Sequence, residues 1–62
     1  MVSTAKVSQF LEGLDFPATK QQCIDYARQH NAPQDVMDVL HRLPDRQYFS
    51  MAGIWDAMGD IE

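Results

Sequence analysis

Cys23, His30 and His41 carry the side chains that could ligate a metal through sulfur or nitrogen, or act as a nucleophile and its base. Cys23 and His30 would share one helix face about two turns apart, roughly 10 Å, which is too far for one tetrahedral ion or one hydrogen-bonded pair. A reactive thiolate also needs positive neighbours, whereas Asp25 lies close to Cys23 in the chain. We therefore predict that Cys23 is a buried, inert thiol and that the chain binds no metal and no cofactor.

The acidic residues offer no better catalytic arrangement. Asp35 and Asp38 lie at helical spacing, but carboxylates on an exposed helix face are usually just solvated. The three glycines are isolated, so the chain has no glycine-rich loop to hold a phosphate. The sequence predicts a protein that is not an enzyme and has no small-molecule substrate.

A helix-turn-helix over residues 23–42 is the sharpest functional alternative. Its small, turn-forming and apolar positions are filled by suitable residues after an opening Cys23: Ala27, Asn31, Met37 and Leu40. The reading helix would carry Asp35 and Asp38 near its base-facing N-terminal end, where carboxylates repel phosphates. Two packed helices joined by a short turn produce the same pattern without DNA, so nucleic-acid binding ranks second.

Helical spacing of apolar residues, at i, i+3, i+4 and i+7, recurs in four segments of the chain. The four apolar faces are Val7, Phe10, Leu11 and Leu14; Cys23, Ile24 and Ala27; Val36, Met37, Leu40 and Leu43; and Met51, Ile54, Trp55 and Met58. No sustained period-two alternation and no Asn-Gly hairpin indicates a strand. The predicted fold class is all-α: one compact bundle of four short helices in a single domain, residues 1–62, with an ordered core over roughly 4–59.

Capping residues and helix breakers mark the boundaries of these helices. The predicted starts are Ser3 or Thr4, a capping box of Thr19 with Gln22, Pro33 in the first turn of the third helix, and Ser50. The predicted ends are Gly13, Asn31, Pro44 and Gly59. Residues 60–62 would then fray.

Residues 43–50, called the strap below, join the third helix to the fourth. The strap is too rich in turn formers and aromatics for a loose linker: Leu43-Pro44-Asp45-Arg46-Gln47-Tyr48-Phe49-Ser50. We predict that it is rigid and carries Tyr48 and Phe49 into the core, with the Tyr48 hydroxyl bonded to a polar partner. Arg46 would pair with Asp45 or with a carbonyl at a helix C-terminus.

The last helix is apolar around much of its circumference, yet it can point inward only over part of that arc. Ile54 is the predicted interior residue, and Trp55, about 100° further around, would lie at the edge and stay partly exposed. The alternative is that Trp55 is a core residue, since a domain this small needs large side chains to build its core. Met51 and Met58 would extend the same surface above and below the indole, and such side chains adapt well to partners. The predicted partner-binding residues are Arg46, Tyr48, Met51, Trp55 and Met58.

Composition narrows the functional classes further. Nine acids against five bases give a net charge of −4, which argues against nucleic acid and against anionic membranes as partners. One cysteine cannot form an internal disulfide. The first residues lack the apolar core of a signal peptide, and no apolar run reaches the roughly 20 residues that span a bilayer. We therefore expect a soluble, cytoplasmic protein.

Three segments of the chain carry a family resemblance. They are Pro17-Ala18-Thr19-Lys20, Ala27-Arg28 and the strap. Together they resemble a widespread family of small bacterial helical domains of unknown function. The resemblance covers roughly residues 8–58, and the Leu-Pro-Asp-Arg-x-Tyr-x-Ser element of the strap is its most specific part. It implies a small helical fold and supplies no activity, cofactor or partner. The family pattern usually has an aliphatic residue at Cys23 and an acid at Gly53. The resemblance therefore implies that Cys23 fills a core position and that Ser50 has an incomplete capping box.

These observations predict a non-catalytic protein–protein interaction module. Its partner would be another protein, or a second copy of the chain in a homodimer, with no membrane involved. Self-association would also help a domain this small, which buries only about 60% of its unfolded surface. The alternative is a small helix-turn-helix-like regulator that binds nucleic acid through residues 23–42.

Overall fold

The computed structural model describes residues 2–61 of the chain. Within them, four helices and two short strands follow in this order: α1 Thr4–Phe10, β1 Ala18–Thr19, α2 Lys20–Gln29, α3 Gln34–Arg42, β2 Gln47–Tyr48 and α4 Met51–Ile61. α2 packs against α3, and α1 packs against α4. The predicted mainly helical fold is confirmed, but the expectation of no strands is wrong.

The two strands form an antiparallel pair in which Ala18 lies opposite Tyr48 and Thr19 lies opposite Gln47. Thr19 is both the last residue of β1 and the N-cap of α2, with φ −80° and ψ 165°. N-cap residues adopt extended dihedral angles, so the residue that starts α2 is already shaped to pair as a strand. Strands of two residues are too short to show period-two alternation, which is why the sequence pattern did not reveal them.

The predicted capping residues begin the helices. Thr19 Oγ1 accepts a hydrogen bond from the Gln22 N–H at 3.1 Å, and Gln22 Oε1 accepts one from the Thr19 N–H at 2.8 Å. Ser50 Oγ accepts from the Gly53 N–H at 3.3 Å, and glycine has no side chain to return the bond. Pro33 is the N-cap of α3 and therefore lies just before its first turn, one step earlier than predicted.

Two of the predicted helix ends adopt the left-handed conformation, but α1 already ends at Phe10, three residues before Gly13, so only Asn31 directly follows a helix cap. Gly13 has φ +89° and Asn31 has φ +58°. The prediction that Gly59 closes α4 and that the chain then frays is wrong for residues 60 and 61, because α4 continues to Ile61. The Ile61 side chain packs against the core, and Arg42 Nη2 donates to the Ile61 carbonyl oxygen at 3.0 Å. Glu62 lies outside the described residues.

The core is formed by the inner faces of the helices together with one aromatic from the strap. Its largest fully enclosed side chains are Tyr48, Leu11, Leu40, Leu43, Ile54, Met58, Val7, Val36 and Cys23. Tyr48 is 2% exposed, and its hydroxyl donates to the Pro44 carbonyl oxygen at 2.6 Å. The prediction for Tyr48 is confirmed. The prediction for Phe49 is wrong, since it is 72% exposed.

Replacing Tyr48 tests whether the strap is part of the core. Tyr48→Ala removes a buried ring, which typically costs about 3 to 5 kcal/mol, and the whole stability of a small domain is only about 5 to 15 kcal/mol. We expect circular dichroism to show a largely unfolded or strongly destabilised variant. Tyr48→Phe, which removes only the bond to Pro44, should cost about 1 kcal/mol. Melting of Tyr48→Ala within a few degrees of the parent would show that the ring does not hold the fold.

Two alanine substitutions at glycine form a matched pair. A Cβ at Gly13 would lie 2.8 Å from the Tyr26 hydroxyl oxygen at a φ of +89°, whereas a Cβ at Gly59 would meet nothing within 4 Å. Gly13→Ala should lose about 1 to 2 kcal/mol from the left-handed backbone alone. Gly59→Ala should gain about 0.4 to 1 kcal/mol, because it restricts the unfolded chain and suits a helix. Urea titrations measure both changes. If the free energy of unfolding changed in the same direction in the two variants, this account would be contradicted.

Candidate functional site

The outer face of α4 is an exposed helix face next to the strap. Ala52, Trp55, Asp56, Gly59 and Asp60 are exposed and recur at the three- and four-residue spacing of one helix face. The opposite face carries the buried residues of α4, which are Ile54, Ala57 and Met58. One side of the helix therefore packs on the core, and the other side is exposed to solvent. These five exposed residues form the outer face of α4.

Trp55 is fixed in place although it is 43% exposed. Its indole Nε1 donates to Ser8 Oγ on α1 at 2.8 Å, and the Ser8 hydroxyl in turn donates to the Thr4 carbonyl oxygen at 2.8 Å. The prediction that Trp55 lies at the edge of the buried face is confirmed. Because α1 holds the indole, its exposed part offers a contact surface that loses little freedom on binding.

Phe49 is the exposed aromatic that the sequence analysis placed in the core. It directly precedes the capping Ser50, where an apolar residue often packs on the fourth residue of the helix. That residue is Ile54, which is fully buried, while Phe49 is 72% exposed. A signal was present in the sequence: successive residues of an extended segment point to opposite sides. A strap that places Tyr48 inward therefore places Phe49 outward.

The other predicted contact residues divide into exposed and buried positions. Met58 is 1% exposed and faces the core with Ile54, so the prediction that it extends the surface around Trp55 is wrong. Tyr48 is also enclosed in the core. Met51 is half-buried and Arg46 is exposed. The binding role predicted for these residues stays a prediction.

Arg46 finds a partner that the sequence analysis did not anticipate. Its guanidinium carbon lies 5.2 Å from the centroid of the Tyr48 ring, within the range of a cation–π contact. Burial raises the pKa of the Tyr48 hydroxyl above its ordinary value, and the Arg46 charge offsets only part of that rise. The predicted partner of Arg46 was Asp45 or a carbonyl at a helix C-terminus. Within residues 2–61 the ion pairs are Lys6 with Asp35 and Arg28 with Asp25, so the pairing with Asp45 is wrong.

The structure separates the residues that could do chemistry. Cys23 is fully buried, and this burial raises the pKa of its thiol. His30 is exposed and stacks on Tyr26 with ring centroids 4.2 Å apart, and its Nδ1 lies 2.8 Å from the Tyr26 carbonyl oxygen. His41 lies on the outside of α3. In the described part of the chain, no three His, Cys, Asp or Glu side chains converge as a metal site would require.

The polar side of α3 is bonded within the chain. Asp35 Oδ2 accepts from Lys6 Nζ at 2.8 Å, and this hydrogen bond is the main cause that lowers the pKa of Asp35. Asp38 Oδ1 accepts from Gln34 Nε2 at 2.7 Å. Asp35 was predicted to be merely solvated, whereas it links α1 to α3. Both carboxylates remain on the helix that would read DNA.

Two shallow depressions lie away from α4. One of about 450 Å³ lies at the turn between α2 and α3, where Arg28 and His41 are among its lining residues. Another of about 290 Å³ is lined in part by Asp15 and Asp25. Neither includes Cys23, and the second gathers carboxylates without a lysine or arginine.

In residues 2–61, no helix has both the length and the apolar character needed to cross a membrane.

The burial of Cys23 predicts its reactivity. A raised thiol pKa leaves less thiolate at neutral pH, and a fully buried sulfur is closed to reagents. A thiol reagent should therefore label the native protein far more slowly than the urea-unfolded chain. Cys23→Val should change the free energy of unfolding by less than about 1.5 kcal/mol, since it nearly conserves volume. Equal labelling rates for native and unfolded protein would place the sulfur at the surface.

Comparisons with known proteins supply a family and no activity. No curated protein and no solved structure is significantly similar to this sequence. A family model described as "Protein of unknown function (DUF2795)" matches residues 2–55, which run from the start of the chain through the strap to Trp55. This match covers most of the sequence. The chain therefore belongs to the DUF2795 family of proteins of unknown function.

Proposed function

We propose that this protein is a non-catalytic module that binds another protein through Phe49 and the outer face of α4. The observation that carries the proposal is the 72% exposure of Phe49 on a strap whose neighbouring residue, Tyr48, is 2% exposed. The Phe49 backbone is held by the burial of Tyr48, so the ring is presented from a rigid support. A presented aromatic is the usual anchor of a protein interface.

A phenylalanine at the exposed position 49 gives the fold no benefit that a polar residue would not also give. Burying a phenylalanine side chain typically contributes about 1.5 to 3 kcal/mol, and a domain of this size has few large side chains for its core. Trp55 also keeps 43% of its surface in solvent. Two large aromatics left exposed on a small chain support a binding role.

The state of the reactive residues supports a role without catalysis. The one thiol is buried in the core, His30 is stacked on Tyr26, and Asp35 is paired with Lys6. A catalytic site needs a titratable group with a perturbed pKa in an accessible cleft. The thiol with the raised pKa is closed to solvent, and the carboxyl with the lowered pKa belongs to a surface ion pair.

The nucleic-acid alternative gains no support from α3. Its polar side carries Asp35 and Asp38, and Arg42 is bonded to the carbonyl oxygen of Ile61. A helix that reads DNA presents donors and positive charge to the major groove.

Photo-crosslinking from position 49 tests the proposal in the cells that naturally produce the protein. A benzophenone analogue of phenylalanine replaces Phe49, and the same analogue at Gln29, exposed on α2, is the matched control. We expect a discrete adduct from position 49, identified by mass spectrometry, and none from position 29. Equal patterns from the two positions, or no adduct from 49, would contradict the proposal.

The substitution Phe49→Ala then separates binding from folding. Because the ring is largely exposed, the free energy of unfolding should change by no more than about 0.5 kcal/mol. Affinity for the cross-linked partner should fall by about 2 kcal/mol or more, as for an interface anchor. Trp55→Ala is a less clean test, since it also removes the hydrogen bond to Ser8. Calorimetric titration and urea denaturation of the same samples give both quantities.

A further inference from the structure

The outer face of α4 is acidic as well as aromatic. Asp56 directly follows Trp55, and Asp60 lies one turn further along the same face. Both are exposed, and α4 contains no lysine or arginine over Met51–Ile61. The surface around the indole therefore combines one large apolar group with two negative charges.

Three cations on neighbouring elements have partners other than Asp56 and Asp60. Arg42 Nη2 donates to the Ile61 carbonyl oxygen, where its charge also favours the C-terminal end of the helix dipole. Arg46 lies over the Tyr48 ring, and Lys6 is paired with Asp35. Neither ion pair formed within residues 2–61 involves Asp56 or Asp60. The negative charge of the outer face thus remains available to a partner.

A second copy of this chain is poorly suited to that surface. A symmetric dimer places the same patch on both sides of the interface. Pairing through the outer face would therefore enclose four carboxylates, two from each chain, with no base contributed by either α4. Like charges brought together at an interface oppose association. Charge selects a partner of the opposite sign.

The shape of the outer face suits close approach by a helix or an extended segment. Ala52 and Gly59 lie on either side of Trp55 along the helix, and a Cβ added at Gly59 would meet nothing within 4 Å. The fold itself therefore does not require glycine there, although glycine is a poor residue for a helix interior. A partner backbone could approach beside the indole at these small residues.

We propose that the occupant of the outer face is a basic amphipathic segment of a different protein. Its apolar side chains would pack on Trp55 and Phe49, and lysine or arginine side chains one turn apart would meet Asp56 and Asp60. This proposal rests on the proposed function, because it assigns the class of partner to the same surface. It goes further by excluding a second copy and by setting the charge of the bound segment.

Two synthetic peptides test the charge of the partner against the intact chain. One is an amphipathic helical peptide of lysine and leucine, and the other has glutamate in place of every lysine. Trp55 is the only tryptophan in the sequence, so its fluorescence reports binding at the outer face. We expect the lysine peptide to shift the emission with an affinity that falls as salt rises. We expect no shift with the glutamate peptide.

Charge-removing variants separate the local effect from the net charge. Asp56→Asn with Asp60→Asn should weaken binding of the lysine peptide roughly five- to tenfold, the effect of two exposed ion pairs at low salt. The control variant carries Asp15→Asn and Asp38→Asn, which change the net charge by the same amount at exposed positions outside α4. This control pair should weaken binding less than about twofold, since screening limits distant charges.

The possible results separate the two proposals. If both variant pairs lose affinity equally, or the glutamate peptide binds as well as the lysine peptide, the basic class of partner is overturned. Cross-linking from position 49 would then decide independently whether the surface binds a protein at all. If sedimentation shows that the parent protein is a dimer and that Trp55→Ala abolishes the dimer, the exclusion of a second copy is overturned. A monomer, together with a basic segment in the cross-linked adduct, supports the proposal.

Discussion

The burial of Tyr48 is the constraint on which the rest of this small fold depends. Its ring closes the core, its hydroxyl is bonded to the Pro44 carbonyl oxygen, and its backbone pairs with Ala18. β1 leads directly into α2, and β2 leads into α4 through Phe49 and Ser50. A single side chain therefore fixes the relative positions of two helix starts that lie far apart in sequence. A two-residue strand pair could not do this alone, because so short a ladder is marginal without packing.

The same constraint produces the exposed surface. Since adjacent residues of the extended strap point to opposite sides, Phe49 can enter the core only if Tyr48 leaves it. The strap also sets where α4 begins, and Ile54 with Met58 then turns inward while Trp55 comes to rest against Ser8. The exposure of positions 49 and 55 is therefore a consequence of how the core is closed, and the aromatic side chains found there are presented by backbone that the core holds rigid.

Much of the fold was predictable because its signals are local. The capping box at Thr19 and the left-handed Gly13 follow from residue chemistry within one helical turn, and the burial of Cys23 follows from helical spacing. Besides the missed strands and Phe49, the errors concern α4, where two apolar faces are equally periodic. Residues 51, 54, 55 and 58 form one face, and residues 54, 57, 58 and 61 form another. Only the contact of Ile61 with the core decides for the second face, and that contact is between segments distant in sequence.

The candidate site was predicted less well for a related reason. Trp55 was recognised because a lone indole beside an interior Ile54 must lie near the edge of the buried arc. The residue types of the strap do not distinguish Phe49 from Tyr48, because both are aromatic; only the alternation of an extended chain places one inward and the other outward. Met58 was assigned outward because methionine is common both in cores and at interfaces. Sequence composition does not separate these two environments; the rotation of the helix does.

Natural sequences tend to break local rules where a function requires it. In this chain the exposed Phe49, the half-exposed Trp55 and the glycine at position 59 each depart from what stability alone would favour. Two of the three lie on the outer face of α4, and Phe49 lies at the end of the strap that leads into it. The buried side of the same helix follows the packing rules closely. One side of this short helix serves the fold and the other side does not. Selection for a binding surface would produce this division.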